Sequence, residues 1–284
     1  MSYKIIGDSC SDFTPEMKKN PIYQYVPLTL EIGDYRIPDD ENFDQLDFLK
    51  RVAASPIGPK TACPSPETYE KAIADADADE VYLITLSQHL SGSYQSACVG
   101  YQMYQESHPE SKRKIYVFSS DSATAGQLNL CIMIDELKRA GDSFETVVEK
   151  VNAQIARMKT YFVLESLDAL RKNGRLTGIK FLIASALNIK PVMSAIHGVI
   201  IKLDQQRGIN KALKKMVEIA VQTVGGPEKT KDLRLCITHV NCRERAEFVK
   251  EEFLKLATFR DIVISDTMGV ATIYASDGGI VVAL

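Results

Sequence analysis

The sequence predicts an α/β protein in two parts, a parallel-sheet N-terminal domain with helices on both faces and a C-terminal α+β domain. Three observations carry that expectation. A chain of 284 residues is long for one core, because single cores stop growing at roughly 250–300 residues. Strand-like and helix-like patterns alternate through the first half, as in a sheet covered by helices. Beyond residue 158 the pattern changes to hairpins separated by longer helices.

In the first half, Lys4 to Gly7, Val81 to Leu86 and Ile115 to Ser119 are short apolar runs that read as buried strands. Helical periodicity marks Gln45 to Ala54, Glu67 to Ala74, Gly92 to Tyr104 and Gln127 to Arg139, the last closed by Gly141 at a C-terminal cap position. Val26, Leu28, Leu30 and Ile32 alternate along the chain before Gly33-Asp34 and Tyr35 to Ile37, a β-hairpin that would stand as a flap beside the sheet. A helix over Phe144 to Met158 ends a first domain expected at 1–158.

The second domain, expected at 159–284, opens with the strand Tyr161 to Leu164. Lys190 to Ile196, His197-Gly198 and Val199 to Asp204 read as strand, turn and strand. A helix from Asn210 to Val224, the breaker Gly225-Gly226-Pro227, a strand Leu233 to His239 and a helix Arg243 to Ala257 follow. Strands at Asp261 to Ser265 and Gly279 to Leu284 complete the domain.

Composition excludes several classes of function. A hydrophobic share of 45% fills both cores, and a formal net charge of −3 offers no excess of Lys and Arg for a nucleic-acid backbone. No apolar run approaches the roughly 18 residues that span a bilayer. Met1 to Asp12 lacks the apolar centre of a signal peptide, so a cytoplasmic location is expected. The six cysteines form no CxxC pair and have no histidine at ligand spacing, so they read as reduced thiols, and neither a metal nor a cofactor is expected.

Three polar clusters fall where strands of the first domain end, the edge at which open parallel sheets bind ligands. They are Asp8 to Asp12, Thr61 to Pro66 and Leu90 to Ala97. Spacing alone allows two readings of the third. Ser91 and Gly92 stand before a helix whose free amides suit an anion, or Ser91 caps its helix as Ser65 caps another. The GxSxG, Walker A, GxGxxG and HExxH devices are absent. An enzymatic alternative would use Ser91 or Ser93 as nucleophile and His89 as base on a small acidic or phosphorylated metabolite.

Several segments resemble the DegV family of bacterial fatty-acid-binding proteins. The opening strand with its Asp-Ser loop corresponds to Ile5 to Asp12, and the Thr-Ser-Gln-Pro-Ser segment to Thr61-Ala62-Cys63-Pro64-Ser65. The Leu-Ser-Gly-Thr-Tyr-Gln-Ser-Ala segment corresponds to Leu90 through Ala97. Val117 to Ser122 is similar to a family strand and Asp-Ser loop, Leu167 to Leu176 to the Leu-x-x-Leu-x-Lys-Gly-Gly-Arg-Ile segment, and Ile189 to Val192 to the Lys-Pro strand.

The resemblance implies a long-chain fatty acid as ligand and a carrier or presenting protein without catalysis of its own. The carboxylate would be held by the hydroxyls of Thr61 and Ser91 within the Ser91-Gly92-Ser93 segment. Burying about fifteen methylenes at roughly 0.8 kcal/mol each makes about 12 kcal/mol available before association costs. That exceeds the several kcal/mol lost when a carboxylate leaves water with partial compensation. Apolar periodicity near the domain junction nominates Leu28, Phe162, Leu164, Ile183 and Leu187 as pocket lining. A lipid-responsive regulator has the same sequence signature.

One departure bears on partners. Family members that present acyl chains to a fatty-acid kinase carry His-Thr-Gly-Pro-Gly near the C-terminus, where this chain reads Ala275-Ser276-Asp277-Gly278-Gly279. With Ala275 in place of that histidine and Asp277 adding a like charge near the carboxylate, kinase coupling is expected to be weak. Arg175 matches the family's Gly-Gly-Arg arginine and is either partner-facing or a solvated loop cation.

Overall fold

A computed structural model describes residues 2–176, 188–196 and 199–284. The nominated residues Ile183 and Leu187, and the His197-Gly198 turn, lie outside the described residues. The first half runs β1 (Tyr3–Asp8), a 3-10 turn (Ser9–Ser11), α1 (Pro15–Lys19), β2 (Tyr23–Val26), β3 (Thr29–Ile32), β4 (Tyr35–Pro38) and α2 (Gln45–Ala54). It continues with β5 (Lys60–Ala62), α3 (Pro66–Ala74), β6 (Glu80–Thr85), α4 (Ser93–Ser107), β7 (Lys114–Ser119), α5 (Ala125–Arg139) and α6 (Phe144–Arg157).

The four-stranded sheet has the order β2-β1-β6-β7, and every pairing in it is parallel. Its central strands carry apolar side chains on both faces because helices cover both. Successive residues point to opposite sides. Ile5, Tyr82, Ile84 and Phe118 meet α5 and α6, while Ile6, Val81 and Leu83 meet Tyr69, Ile73, Ala97 and Tyr104 of α3 and α4.

The flap is larger than the sequence suggests. It is a three-stranded antiparallel sheet of order β4-β3-β5, in which Leu30 is paired with Thr61. Gly33, at φ +58°, supplies the left-handed backbone that the two-residue turn between β3 and β4 requires. Val26 belongs to β2 of the parallel sheet and not to the flap. Pro27 separates the two strands, and the alternation read through it joins segments of different sheets.

The second half runs β8 (Thr160–Val163), α7 (Asp168–Lys172), β9 (Ile189–Ile196), β10 (Val199–Arg207), α8 (Ile209–Thr223), α9 (Pro227–Thr230), β11 (Arg234–His239) and α10 (Arg243–Leu256). It ends with β12 (Asp261–Asp266), α11 (Gly269–Ala275) and β13 (Ile280–Ala283). Its six strands form one sheet of order β10-β9-β8-β13-β11-β12. Among the described residues, only the β11 to β12 pairing in this sheet is parallel.

One face of this sheet packs Tyr161, Val163, Leu235, Ile237 and Val282 against α8 and α10. The other turns Phe162, Met193, Cys236, Val281 and Ala283 into the same core as Leu128, Cys131 and Ile134 of α5. Thus α5 lies between the two large sheets. Buried Arg234 on β11 reinforces that contact, bonding Glu136 of α5 and, at 2.8 Å, Asp261 of β12. The chain then returns to the flap, where Val270, Ala271 and Ile273 of α11 pack with Leu28, Leu30, Ile32 and Phe48.

Among the described residues, no helix is long and apolar enough to cross a membrane.

Candidate functional site

The parallel strands end at one edge of their sheet, and α11, β8 and the β9–β10 hairpin close over that edge. Between them is a cavity of about 810 Å³ of empty space, its open mouth included. Leu28, Leu86, Phe162, Leu164, Ile200 and Val281 are among its apolar walls. The nominated residues Leu28, Phe162 and Leu164 therefore lie on one surface, although they come from the flap and from the C-terminal sheet.

Four polar side chains converge on part of this lining. Thr61 on β5 presents its Oγ1 3.1 Å from the Tyr274 hydroxyl on α11. Arg175, just beyond α7, stacks its guanidinium 5.7 Å above the Tyr274 ring. The same guanidinium donates through Nε to the Leu90 carbonyl at 3.2 Å and through Nη1 to the Asn173 carbonyl at 2.6 Å. Next to Leu90, Ser91 also lines the cavity. Arg175 is thus fixed at the cavity wall and is not a freely solvated loop cation. Its Nη2 has no protein acceptor among the described residues.

Ser93 and Gly92 stand behind this surface and do not line it. The Ser91 Oγ lies 3.0 Å from the Ser93 Oγ and accepts the Ser93 amide at 3.2 Å. Gly92, not Ser91, occupies the N-cap position of α4, although Ser91 supplies the oxygen that satisfies the first helical amide. A Cβ on Gly92 would lie 3.1 Å from the Cys63 Sγ, so a side chain there would press on the Thr61 to Pro66 loop.

Buried carboxylates hold the loops that carry these groups. Asp8 accepts the Leu86 amide at 2.7 Å, the Cys10 amide at 3.2 Å and the Gln127 side-chain amide at 2.8 Å. Burial raises its pKa to about 6, against the opposing pull of those donors and of Ser93. Asp39 accepts the amides of Gly269 at 2.7 Å and Val270 at 3.0 Å at the start of α11. Burial likewise raises its pKa to about 6 despite these donors. Asp12 accepts the Met268 amide at 2.7 Å, and burial holds its pKa well above the ordinary carboxylate value.

The arrangement gives no support to a serine nucleophile. His89 is exposed, and no hydrogen bond joins it to Ser91 or Ser93 among the described residues; its amide instead donates to the Ser87 hydroxyl. Cys10 lines the cavity, but burial and the charges of Asp12 and Asp8 push its thiol pKa well up, which disfavours the thiolate. Among the described residues, no group of acidic, histidine or cysteine side chains could hold a metal ion.

Two positions differ from the sequence reading. Tyr274 faces Thr61 and Arg175, a role that no pattern indicated because α11 was not expected. Asp277 is exposed, accepts from the Asn241 side-chain amide at 3.2 Å and does not line the cavity. Ala275 does line it.

The family described as "Uncharacterised protein, DegV family" matches residues 2–284. A DegV domain-containing protein of Streptococcus pneumoniae is 33% identical over 290 aligned residues, covering 99% of this chain and 98% of its own. Among solved structures, a DegV family protein of Ruminococcus gnavus, refined with vaccenic acid, is 43% identical. It superimposes with a TM-score of 0.94, covering 100% of this chain and 99% of its own. The Fatty Acid Kinase (Fak) B3 protein of Streptococcus pneumoniae, loaded with linoleic acid, is 32% identical with a TM-score of 0.82. That match covers 100% of this chain and 99% of the other.

Proposed function

The chain belongs to the DegV family, and on that premise we propose that it binds one long-chain fatty acid as a carrier or presenting protein, without chemistry of its own. The carrying observation is an apolar cavity with hydroxyls and a guanidinium gathered on part of its wall. In this reading Thr61 and Ser91 donate to the carboxylate, and Tyr274 and Arg175 stand beside them. Such donors offset the loss of the carboxylate's hydration, while the acyl chain lies against Leu28, Phe162 and Leu164. Ile183 and Leu187 remain proposed lining on sequence grounds. Residues 1–158 and 159–284 are the two domains of this reading, each giving part of the wall.

The same reading makes the protein a poor partner for a fatty-acid kinase. Orienting a carboxylate for phosphoryl transfer needs groups that neutralise growing charge. Ala275 supplies only a methyl group, and no histidine lines the cavity among the described residues. The likeness to the kinase-associated Fak B3 protein supports testing for a partnership. Mixing loaded protein with a bacterial fatty-acid kinase and ATP should give acyl phosphate slowly, and rapid formation would overturn this part.

Mass spectrometry of lipid extracted from the purified protein tests the main proposal. One fatty acid per chain is expected. Recovery of no lipid, together with turnover of a small acidic metabolite, would decide for an enzyme.

A further inference from the structure

The register of the second sheet gives the cavity a direction. Thr160 and Phe162 of β8, and Leu164 just beyond it, are alternate residues on one face of the strand, and all three line the cavity. The polar group is carried at the Leu164 end. Arg175 follows β8 through α7, and Tyr274 of α11 precedes β13, whose Ile280 pairs with Val163. From Leu164 back to Thr160 the strand covers about 13 Å at the usual rise.

At that far end three strands present one residue each. Thr160 pairs with Ala195 of β9, Ala195 pairs with Ile200 of β10, and all three line the cavity. Among the described residues, these strands give the cavity nothing beyond the row. Met158, two positions before Thr160, packs against the core, and Ile196 and Val199 are exposed. The Thr160 and Ser122 hydroxyl oxygens are 2.6 Å apart, so they satisfy each other and tie the row to the loop before α5.

Ala195 is the small member of the row, with a β-branched residue on either side, and it alone of the three is not fully buried. Cβ atoms directly opposite each other across a strand pair stand about 4.5–5.5 Å apart. A longer side chain between Thr160 and Ile200 would therefore extend into the cavity. We propose that Ala195 sets the length of acyl chain the protein accepts, the last methylenes of the tail filling the space above its methyl group and Ile200 marking where the tail stops. The inference rests on the fatty-acid reading and adds a specificity-determining residue to it. Each methylene taken out of water adds about fourfold to affinity, so affinity should climb with chain length and level off once the tail meets this row.

The test titrates delipidated protein with saturated acids from decanoic to icosanoic, by displacement of a fluorescent fatty acid, and reads the length at which affinity levels off. Ala195→Leu should make that length about three carbons shorter, weakening the longest acids at least about tenfold more than decanoic acid. Ile200→Ala removes as many carbons from the same row and should make it longer by a similar amount, a readout that stands even if Ala195→Leu does not fold. A levelling-off point that neither substitution moves in folded protein, or a loss equal at every chain length, would overturn the inference while leaving the fatty-acid reading intact. Binding of none of the acids by the unsubstituted protein would overturn both.

Discussion

Asp39, on the loop after the flap hairpin, accepts the amide of Gly269 at 2.7 Å across 230 residues of sequence. With the second bond to Val270, one carboxylate fastens the first turn of α11 to the flap. Because α11 presents Val270, Ala271, Tyr274 and Ala275 to the cavity, this link sets one wall. Asp39→Ala should therefore leave two buried amides unpaired and cost about 2 to 4 kcal/mol of stability. Urea unfolding measures the loss, and a faster ligand off-rate should accompany it.

Gly269 itself leaves no room for a side chain. A Cβ there would stand 2.1 Å from Leu30 Cδ1, 2.8 Å from Asp39 Oδ1 and 3.0 Å from Phe43 Cε2. Gly269→Ala is expected to cost about 1 to 3 kcal/mol through overpacking, even though alanine favours helices. A melting temperature equal to that of the unsubstituted protein would show that the flap yields at no cost.

Acidification should stabilise part of this architecture. Asp8 and Asp39 have pKa values raised from 3.8 to about 6 by burial, so each binds a proton more readily folded than unfolded. Their contribution to stability is fully present below the unfolded value of 3.8 and is lost as pH rises through about 6. At most about 3 kcal/mol per group is at stake. The difference in urea midpoint between the unsubstituted protein and Asp8→Asn, followed from about pH 7 to about pH 5, isolates one group. That difference should shift in favour of the unsubstituted protein on acidification.

Thr61→Val and Ser91→Ala should each weaken fatty-acid binding by about 1 to 3 kcal/mol while the chain stays folded. Tyr274→Phe removes the hydroxyl that meets Thr61 and should lower affinity by a similar factor. Titration of the folded fraction gives the answer. If all three variants lose stability and none loses affinity, these hydroxyls serve the fold alone.

Local pattern sufficed where the environment repeats along the chain. β6 is buried throughout, and apolar from Val81 to Ile84, because helices cover both its faces, and α2 spans the expected Gln45–Ala54 because one side faces solvent. α11 shows no such contrast. All of Gly269 to Ala275 except Tyr274 is buried, so its helical period has no polar side to mark it. β5 has only three residues, too few for alternation to register. The hydroxyl-rich segment at Ser91 stood out because it follows the end of β6, whereas Thr61, read as lying at a strand end of the parallel sheet, sits within β5 of the flap. Tyr274 did not stand out, since its contact with Thr61 joins positions 213 apart.

In the sheet order, β13 stands between β8 and β11, and α11 precedes it as a wall of the cavity. Both come late in the sequence, so a ribosome releases the other walls before these two exist. Until both are present, the second sheet lacks the strand that joins β8 to β11 and the cavity lacks the wall that carries Tyr274. If the cavity binds a fatty acid as proposed, removal of residues 269–284 should abolish that binding even if the four-stranded sheet forms.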